Sequence, residues 1–558
     1  MMARGNPPEL ALPALVLDHA ARYPEETALL QKCGARWVAL SWADYARRVR
    51  HVAAGLFRLG LMPPCHIGIF AENSTDWVVS QMATGLIGGC AFGLYPTSSP
   101  QDVRHALGLA EAQLVFCENA QKLAKLDAIR DELPGLRWIV MFDGAGVDLT
   151  RKDILTLADV EQAGAAALDA APGLLDGAIA GLTLDQPGLI VFTSGSTGPP
   201  KAAMLSFRNM RTAALGFGDR LGFAPGAVVL SYLPLCHIAE QAMTNFAPLH
   251  SRTAVAFGGG LGSLVEDLRH VRPTYFSGVP RVWLRLQAQM EQAGAGLDHV
   301  GLDRTRVATS GAASLPVAVL DYFRGQGLAL LELYGMTENC SIMTLHHPDR
   351  VVPGTVGEPI ATVELQLADD GEILVRGEAV FLGYYKDPAA TAQTVVDGWL
   401  HTGDIGRMEQ GQLRIIDRKK DIMITDGGKN ISPAEIEGLM RTSPLIAECV
   451  LVAEGRKYVA ALIQIDPAGF GGADYAALVA APATQAALLA EIARLNVALP
   501  RVAQIKRACI LPQPLQAEAG ELTPTLKLRR FMVHKRYAKD IEGIYAGLTG
   551  FDIPPSRA

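Results

Sequence analysis

Residues 188–201, GLIVFTSGSTGPPK, carry an apolar run into a loop of hydroxyls and glycines that ends on Lys201. Glycines let a ligand come close to the backbone, and successive N–H groups with Ser and Thr hydroxyls form a nest for anions. The chemistry is that of cradling phosphate. The spacing is not that of the G-x-x-x-x-G-K-[S/T] loop, because Pro199 and Pro200 separate Gly198 from the lysine. On composition alone the same residues also describe an ordinary turn.

This segment has company: SYLPLCHIAEQ at 231–241, RPTYFSGVPRVW at 272–283, SGAASLP at 310–316, LELYGMTEN at 331–339, GWLHTGD at 398–404, DRKKD at 417–421 and TPTLKLRR at 523–530. In this order and spacing the chain resembles the adenylate-forming superfamily of acyl-CoA synthetases, luciferases and peptide-synthetase adenylation domains, over about residues 10–540. Its segments look most like those of long-chain fatty-acid–CoA ligases. The resemblance implies that Thr193, Ser194, Gly195, Ser196, Thr197, Gly198 and Lys201 wrap the β- and γ-phosphates of ATP. It implies an adenine-lining turn at Ser310, Gly311, Ala312 and Ala313. Tyr334 would stack on the base, with Gly335 beside it in the nucleotide site, and Thr337 would bind the α-phosphate. Glu338 would hold Mg²⁺, since one carboxylate suits an ion whose other ligands are phosphate oxygens and water. Asp404 would accept from the ribose hydroxyls with help from Arg418. His237 would sit between the acyl tunnel and the α-phosphate; a lone histidine is otherwise structural. Lys527 would reach the carboxylate and the bridging oxygen of ATP, while Arg529, Arg530, Lys535 and Arg536 read as a solvated helix face. Phe246, Tyr275, Val279 and Trp283 fit a tunnel wall or a core equally well.

The implied reaction is AMP-forming ligation in two steps, from acid and ATP to acyl-adenylate, then from acyl-adenylate and coenzyme A to thioester. Lys527 must leave before the thiol enters, so the resemblance implies a rotation about Lys420, bringing Gly427, Gly428 and Lys429 toward the pantetheine channel or the phosphate. The expected substrates are a fatty acid, ATP and coenzyme A, with Mg²⁺ as cofactor. A CoA ligase for an aromatic or steroid acid, an acyl-AMP ligase loading a carrier protein, a luciferase and a non-catalytic nucleotide binder remain as alternatives.

The elements that must position these residues alternate. Residues 42–60 show apolar positions at helical spacing, HIGIFAEN reads as a buried strand, and helix and strand signals then succeed each other through residue 119. This rhythm predicts an α/β fold with doubly wound sheets. Residues 160–182 read as a loop or surface helix. From about 421 a compact α+β unit is expected, entered through a capping box of Ser432 and Glu435 with Pro433 at the first helical position. The division is therefore a large N-terminal domain, 1–417, and a small mobile C-terminal domain, 418–558, hinged at 417–421. FDIPPSRA reads as a frayed tail.

Composition agrees with an enzyme of this size. The 558 residues are 49% apolar and 19% charged, which excludes a disordered chain. Lys+Arg number 50 against 57 Asp+Glu, a net charge of −7 that argues against a dedicated nucleic-acid binder. The eight cysteines form no C-x-x-C pair, so neither structural zinc nor a disulfide framework is expected and a reducing cytoplasm fits best. The uncharged run from Trp77 to Gln101 is interrupted by Gly and Pro, and reads as a buried helix followed by a strand rather than a membrane span. A peripheral membrane contact, from which a fatty acid would be taken, is compatible with that reading.

Overall fold

The computed structural model describes residues 9–193, 199–516, 519–522 and 528–554. Short, fully buried strands such as Leu114–Cys117 and helices with one apolar face build two large sheets flanked by helices. One sheet has eight strands in the order Gly383–Tyr384, Lys201–Ser206, Pro187–Thr193, Cys90–Gly93, His66–Phe70, Leu114–Cys117, Trp138–Met141 and Ile154–Thr156. The other has nine, in the order Glu358–Pro359, Thr344–Leu345, Ala329–Tyr334, Val307–Ser310, Tyr275–Gly278, Val228–Ser231, Ala254–Phe257, Thr27–Cys33 and Arg36–Ser41. Both are parallel at the centre; the nine-stranded sheet is antiparallel at both ends, and the eight-stranded sheet only at the end that carries Gly383–Tyr384. An antiparallel five-stranded sheet that includes Trp399–Glu409 and Gln412–Arg418 follows. The smaller C-terminal domain has its own four-stranded sheet, Ile446–Val452, Val459–Ile465, Ile505–Ile510 and Phe551–Asp552, with its own core.

Residues 160–182 form the surface helix and loop that the sequence offers, and two other local expectations are corrected. Within 160–182, residues up to Ala170 belong to the helix Leu157–Ala170, capped by Thr156 and Asp159 and packed hard against the helix Trp42–Arg58. Glycines at the crossing permit this: a Cβ on Gly164 would lie 1.8 Å from the His51 carbonyl, and one on Gly55 2.3 Å from that of Val160. The alanines of this helix are exposed or half-buried, and the glycines are what let the two helix backbones meet. The C-terminus is not frayed through residue 554, since Phe551–Asp552 pairs with Ile505–Ile510 and both Phe551 and Ile553 are buried. The second correction concerns Ser432. It is the N-cap of the helix Pro433–Met440, but its side chain caps nothing; Asp417 Oδ2 accepts from the Ala434 N–H at 2.9 Å instead.

The run after Asp76 is the buried helix Thr75–Leu86 and the strand Cys90–Gly93, as read from sequence. No described helix is long and apolar enough to cross a membrane. All eight cysteines are free.

Candidate active site

The strands Val228–Ser231, Tyr275–Gly278, Val307–Ser310 and Ala329–Tyr334 are parallel neighbours, so their carboxyl ends emerge on one edge of the sheet. In open α/β sheets that edge is where ligands bind. His237, the 310–313 turn and Tyr334 all follow or end those strands. Ser310 is in register with Glu332, which brings the turn beside the end of Ala329–Tyr334. The approach is close: a Cβ on Gly311 would lie 2.5 Å from Leu333 Cδ1. Ala312 takes the left-handed conformation, φ 68°, and Ala312 and Ala313 are exposed, offering a small flat surface.

Beyond Tyr334 the chain doubles back, because the strand Thr344–Leu345 pairs antiparallel with Ala329–Tyr334. Gly335 is required at the bend, where any Cβ would overlap the Ser341 carbonyl at 1.5 Å. The bend contains one short helical turn, Thr337–Asn339, and sends Glu338 inward. Burial pushes the Glu338 carboxyl above its ordinary range, and a hydrogen bond from Tyr384 opposes that shift. The Tyr384 hydroxyl donates to Glu338 Oε1 at 2.6 Å, and Lys201 Nζ lies 4.8 Å from the centre of the Tyr384 ring. These three come from different parts of the chain. Lys201 opens a strand paired with Pro187–Thr193, and Gly383–Tyr384 forms that strand's other neighbour. Thr193 and Lys201 face each other in the register; Ser194, Gly195, Ser196, Thr197 and Gly198 lie outside the described residues.

A second constellation meets the first at Tyr334. Its hydroxyl donates to Asp404 Oδ2 at 2.6 Å. Asp404 sits on Trp399–Glu409 directly across from Arg418, whose Nε is 3.6 Å from Asp404 Oδ1. Burial and the Asp404 carboxylate hold the Tyr334 phenol well above its ordinary range, so it remains a donor. Behind it Glu372 accepts from the Gly403 N–H at 3.0 Å and from His401 and Lys419. Trp399 supports the Arg376 guanidinium 4.6 Å from its ring centre. Trp399 and His401 thus support the strand that carries Asp404.

His237 caps the short helix Ile238–Gln241, its Nδ1 accepting from the Ala239 N–H at 3.2 Å. The turn that delivers it is clamped by Asn73, whose Oδ1 accepts from Leu235 N–H, and by buried Glu240, which accepts from the Ser231 hydroxyl, Tyr232 N–H and Thr244 hydroxyl. Of the tunnel-wall candidates, Phe246, Tyr275 and Trp283 are buried core: Tyr275 stacks on Phe223, and the Trp283 indole donates to Gly278 and Thr309 carbonyls. Lys429 lies on the exposed turn joining Met423–Ile424 to Asn430–Ile431. Lys527 lies outside the described residues.

Two residues escaped the sequence reading. Tyr384 has no motif of its own, and only the strand pairing brings it to Glu338. Glu332 is two residues before Tyr334, buried, with Oε1 accepting from Leu315 N–H at 3.4 Å and Oε2 unpartnered. Its carboxyl is pushed up to about 7 by burial. Its place in LELYGMTEN was visible; its orphaned oxygen was not.

No cluster of three or more His, Cys, Asp or Glu side chains that could cage a metal occurs among the described residues. A lone buried carboxylate held by one phenol is instead the donor set for a Mg²⁺ that keeps phosphate and water ligands, and Glu338 fits it.

Residues 16–385 match the model of the AMP-binding enzyme family, and residues 420–549 match the AMP-binding enzyme C-terminal domain. The chain belongs to the AMP-binding enzyme family. Among relatives of this family member, a protein of Mycobacterium bovis named long-chain-fatty-acid–CoA ligase FadD15 is 31% identical, over 95% of this chain and 96% of its own length. The Xenopus laevis long-chain-fatty-acid–CoA ligase ACSBG2 is 28% identical over 96% of this chain and 84% of its own. Among solved structures, ATP-bound MatB from Rhodopseudomonas palustris superposes with a TM-score of 0.77 at 26% identity, covering 95% of this chain and 99% of that one. The anthranilate CoA ligase AuaEII with anthranoyl-AMP has a TM-score of 0.78 at 19% identity, over 96% and 99% of the two chains.

Proposed function

We propose that this adenylate-forming ligase activates a long-chain fatty acid with Mg-ATP and transfers the acyl group to coenzyme A. The observation that carries the reading is that Tyr334 and Glu338, at the end of one strand of the nine-stranded sheet, join Asp404 and Arg418 of the five-stranded sheet on one side and Tyr384 and Lys201 of the eight-stranded sheet on the other. The first side handles the nucleoside, the second the phosphates. Near-full-length relatives named for long-chain acids support the substrate class.

In the first step a carboxylate oxygen attacks the α-phosphorus, the α–β anhydride bond breaks and pyrophosphate leaves. Bound at Glu338, Mg²⁺ would neutralise charge on the phosphate oxygens. Lys201 and the Thr193–Gly198 loop hold the β- and γ-phosphates, and Thr337 donates to the α-phosphate. The base lies on the 310–313 turn against Tyr334, while Asp404, oriented by the Tyr334 hydroxyl, accepts from the ribose. Lys527 stabilises the charge of the approaching carboxylate. In the second step the coenzyme A sulfur attacks the acyl carbon and AMP leaves, with His237 beside the reacting carbon and Lys429 near the incoming thiol's carrier.

Between the steps the smaller domain turns about Lys420, so the boundary lies at 417–421. Lys419 supports this pivot, being tied to the large domain by Asp370 at 2.6 Å and Glu372 at 3.0 Å and through its N–H to the Gly403 carbonyl. Everything before Lys420 is thus anchored.

AMP release measured with and without coenzyme A, across saturated acids of graded length, aromatic acids and a phosphopantetheinyl carrier protein, tests the reading. The result expected is coenzyme A-dependent turnover highest for long chains. Turnover only with aromatic acids, or only with the carrier, overturns it.

A further inference from the structure

The helix Pro433–Met440 belongs to the smaller domain, burying Ile436 and Met440 in that domain's core, yet its first turn is satisfied from across the pivot. Asp417 lies on the strand Gln412–Arg418, which is paired along its length with Trp399–Glu409. Its Oδ2 accepts from the Ala434 N–H at 2.9 Å and from the Ser432 hydroxyl at 2.7 Å, while its Oδ1 accepts from the Arg418 N–H at 2.7 Å. Asp417 is buried, so these bonds are shielded from water. Glu435, which stands where a capping box needs its acid, is exposed. Ser432-Pro433-Ala434-Glu435 therefore carries a complete capping signal that this arrangement leaves unused.

We propose that Asp417 is a positioning residue that holds the smaller domain in its present pose by capping its first helix. When the domain turns, the capping box of Ser432 and Glu435 takes over. The proposal rests on the rotation about Lys420. Asp417 stays with the large domain in that movement and Ala434 leaves with the small one, so the 2.9 Å bond cannot survive it. A helix that loses its N-cap is destabilised, which would tax the second pose. The Ser432 hydroxyl, released from Asp417, is free to accept from the Glu435 N–H, and the Glu435 carboxylate from the Ser432 N–H. Each pose thus keeps one cap. Few other links act across the boundary as directly; Arg281 and Glu448 approach only to 3.7 Å.

The two caps can be weakened separately. Cys33 is exposed on the large domain and Leu548 is 82% exposed on the small one, so spin labels at Cys33 and Leu548→Cys report the inter-domain distance by pulsed electron resonance. The full-length enzyme is measured with a non-hydrolysable acyl-adenylate analogue, with and without coenzyme A. Wild type is expected to show two distances. Asp417→Ala should lower the population ratio of the present pose to the other several-fold, and Glu435→Ala should raise it several-fold. Thermal melting checks that both variants fold; should Asp417→Ala not fold, Glu435→Ala decides alone. Unchanged populations in a folded variant, or shifts of the same sign in both, overturn the exchange of caps while leaving the rotation standing. A single wild-type distance under every condition overturns the rotation and the exchange with it.

Discussion

The Tyr334 hydroxyl donates to Asp404 Oδ2 at 2.6 Å, linking the end of a central strand of the nine-stranded sheet to the antiparallel sheet beyond it. The bond aims one carboxylate oxygen and leaves the other facing Arg418 at 3.6 Å. Hydrogen bonds to charged groups contribute about 1.5–3 kcal/mol, roughly 10–100-fold in affinity. Asp404→Ala should therefore raise the KM for ATP by about that factor. Tyr334→Phe should raise it less, keeping the ring and losing the aim. Steady-state kinetics at saturating acid checks both; an unchanged KM in Asp404→Ala would make Asp404 structural.

Glu338 and Tyr384 make a graded pair. Replacing Glu338 with Gln keeps the volume and removes the charge, so the Mg²⁺ concentration for half-maximal pyrophosphate release should rise at least about 10-fold. Tyr384→Phe removes a bond that lowers the Glu338 pKa against the upward push of burial. That variant should move the acid limb of the activity–pH profile to higher pH, with a smaller effect on Mg²⁺. A pH profile superimposable on wild type would separate Tyr384 from the metal carboxylate.

The strand that ends at Thr193 was legible in sequence, because an apolar run gives way there to hydroxyls and glycines. The α/β alternation was legible for a similar reason, since apolar runs as short as LVFC, bounded by polar residues, are too short for a helix and fit buried strands. Tyr384 was not, because its role arises from the pairing of Gly383–Tyr384 with Lys201–Ser206, a contact far apart in sequence. The Ser432 capping box was read correctly as a pattern and wrongly as a bond: Asp417, fifteen residues earlier, takes the Ser432 hydroxyl and caps the first turn itself. Core aromatics such as Trp283 resembled a tunnel wall because burial in protein and burial against a ligand select the same side chains.

Glu332 gives a pH dependence of stability with a defined sign. Its carboxyl rises from an ordinary 4.5 to about 7 on folding. A raised pKa contributes stability that is fully present below about pH 4.5 and is lost as pH climbs through about 7. Each tenfold change in proton affinity corresponds to about 1.4 kcal/mol, so the loss is on the order of a few kcal/mol. Glu332→Gln should flatten this slope and melt higher than wild type at pH 8. Parallel melting curves for the two proteins between pH 5 and 8 would show that the carboxyl does not change its proton affinity on folding.

Every role assigned to the site depends on the acid being activated by bonding its oxygen to the α-phosphorus. A long-chain acid labelled with ¹⁸O in both carboxyl oxygens, turned over with ATP and coenzyme A, follows that oxygen directly by mass spectrometry of the products. The expected result is one ¹⁸O in each AMP, none in pyrophosphate and one in the acyl-CoA carbonyl. Unlabelled AMP with ¹⁸O in a released phosphate would mean that the acid attacks elsewhere, and would contradict the mechanism.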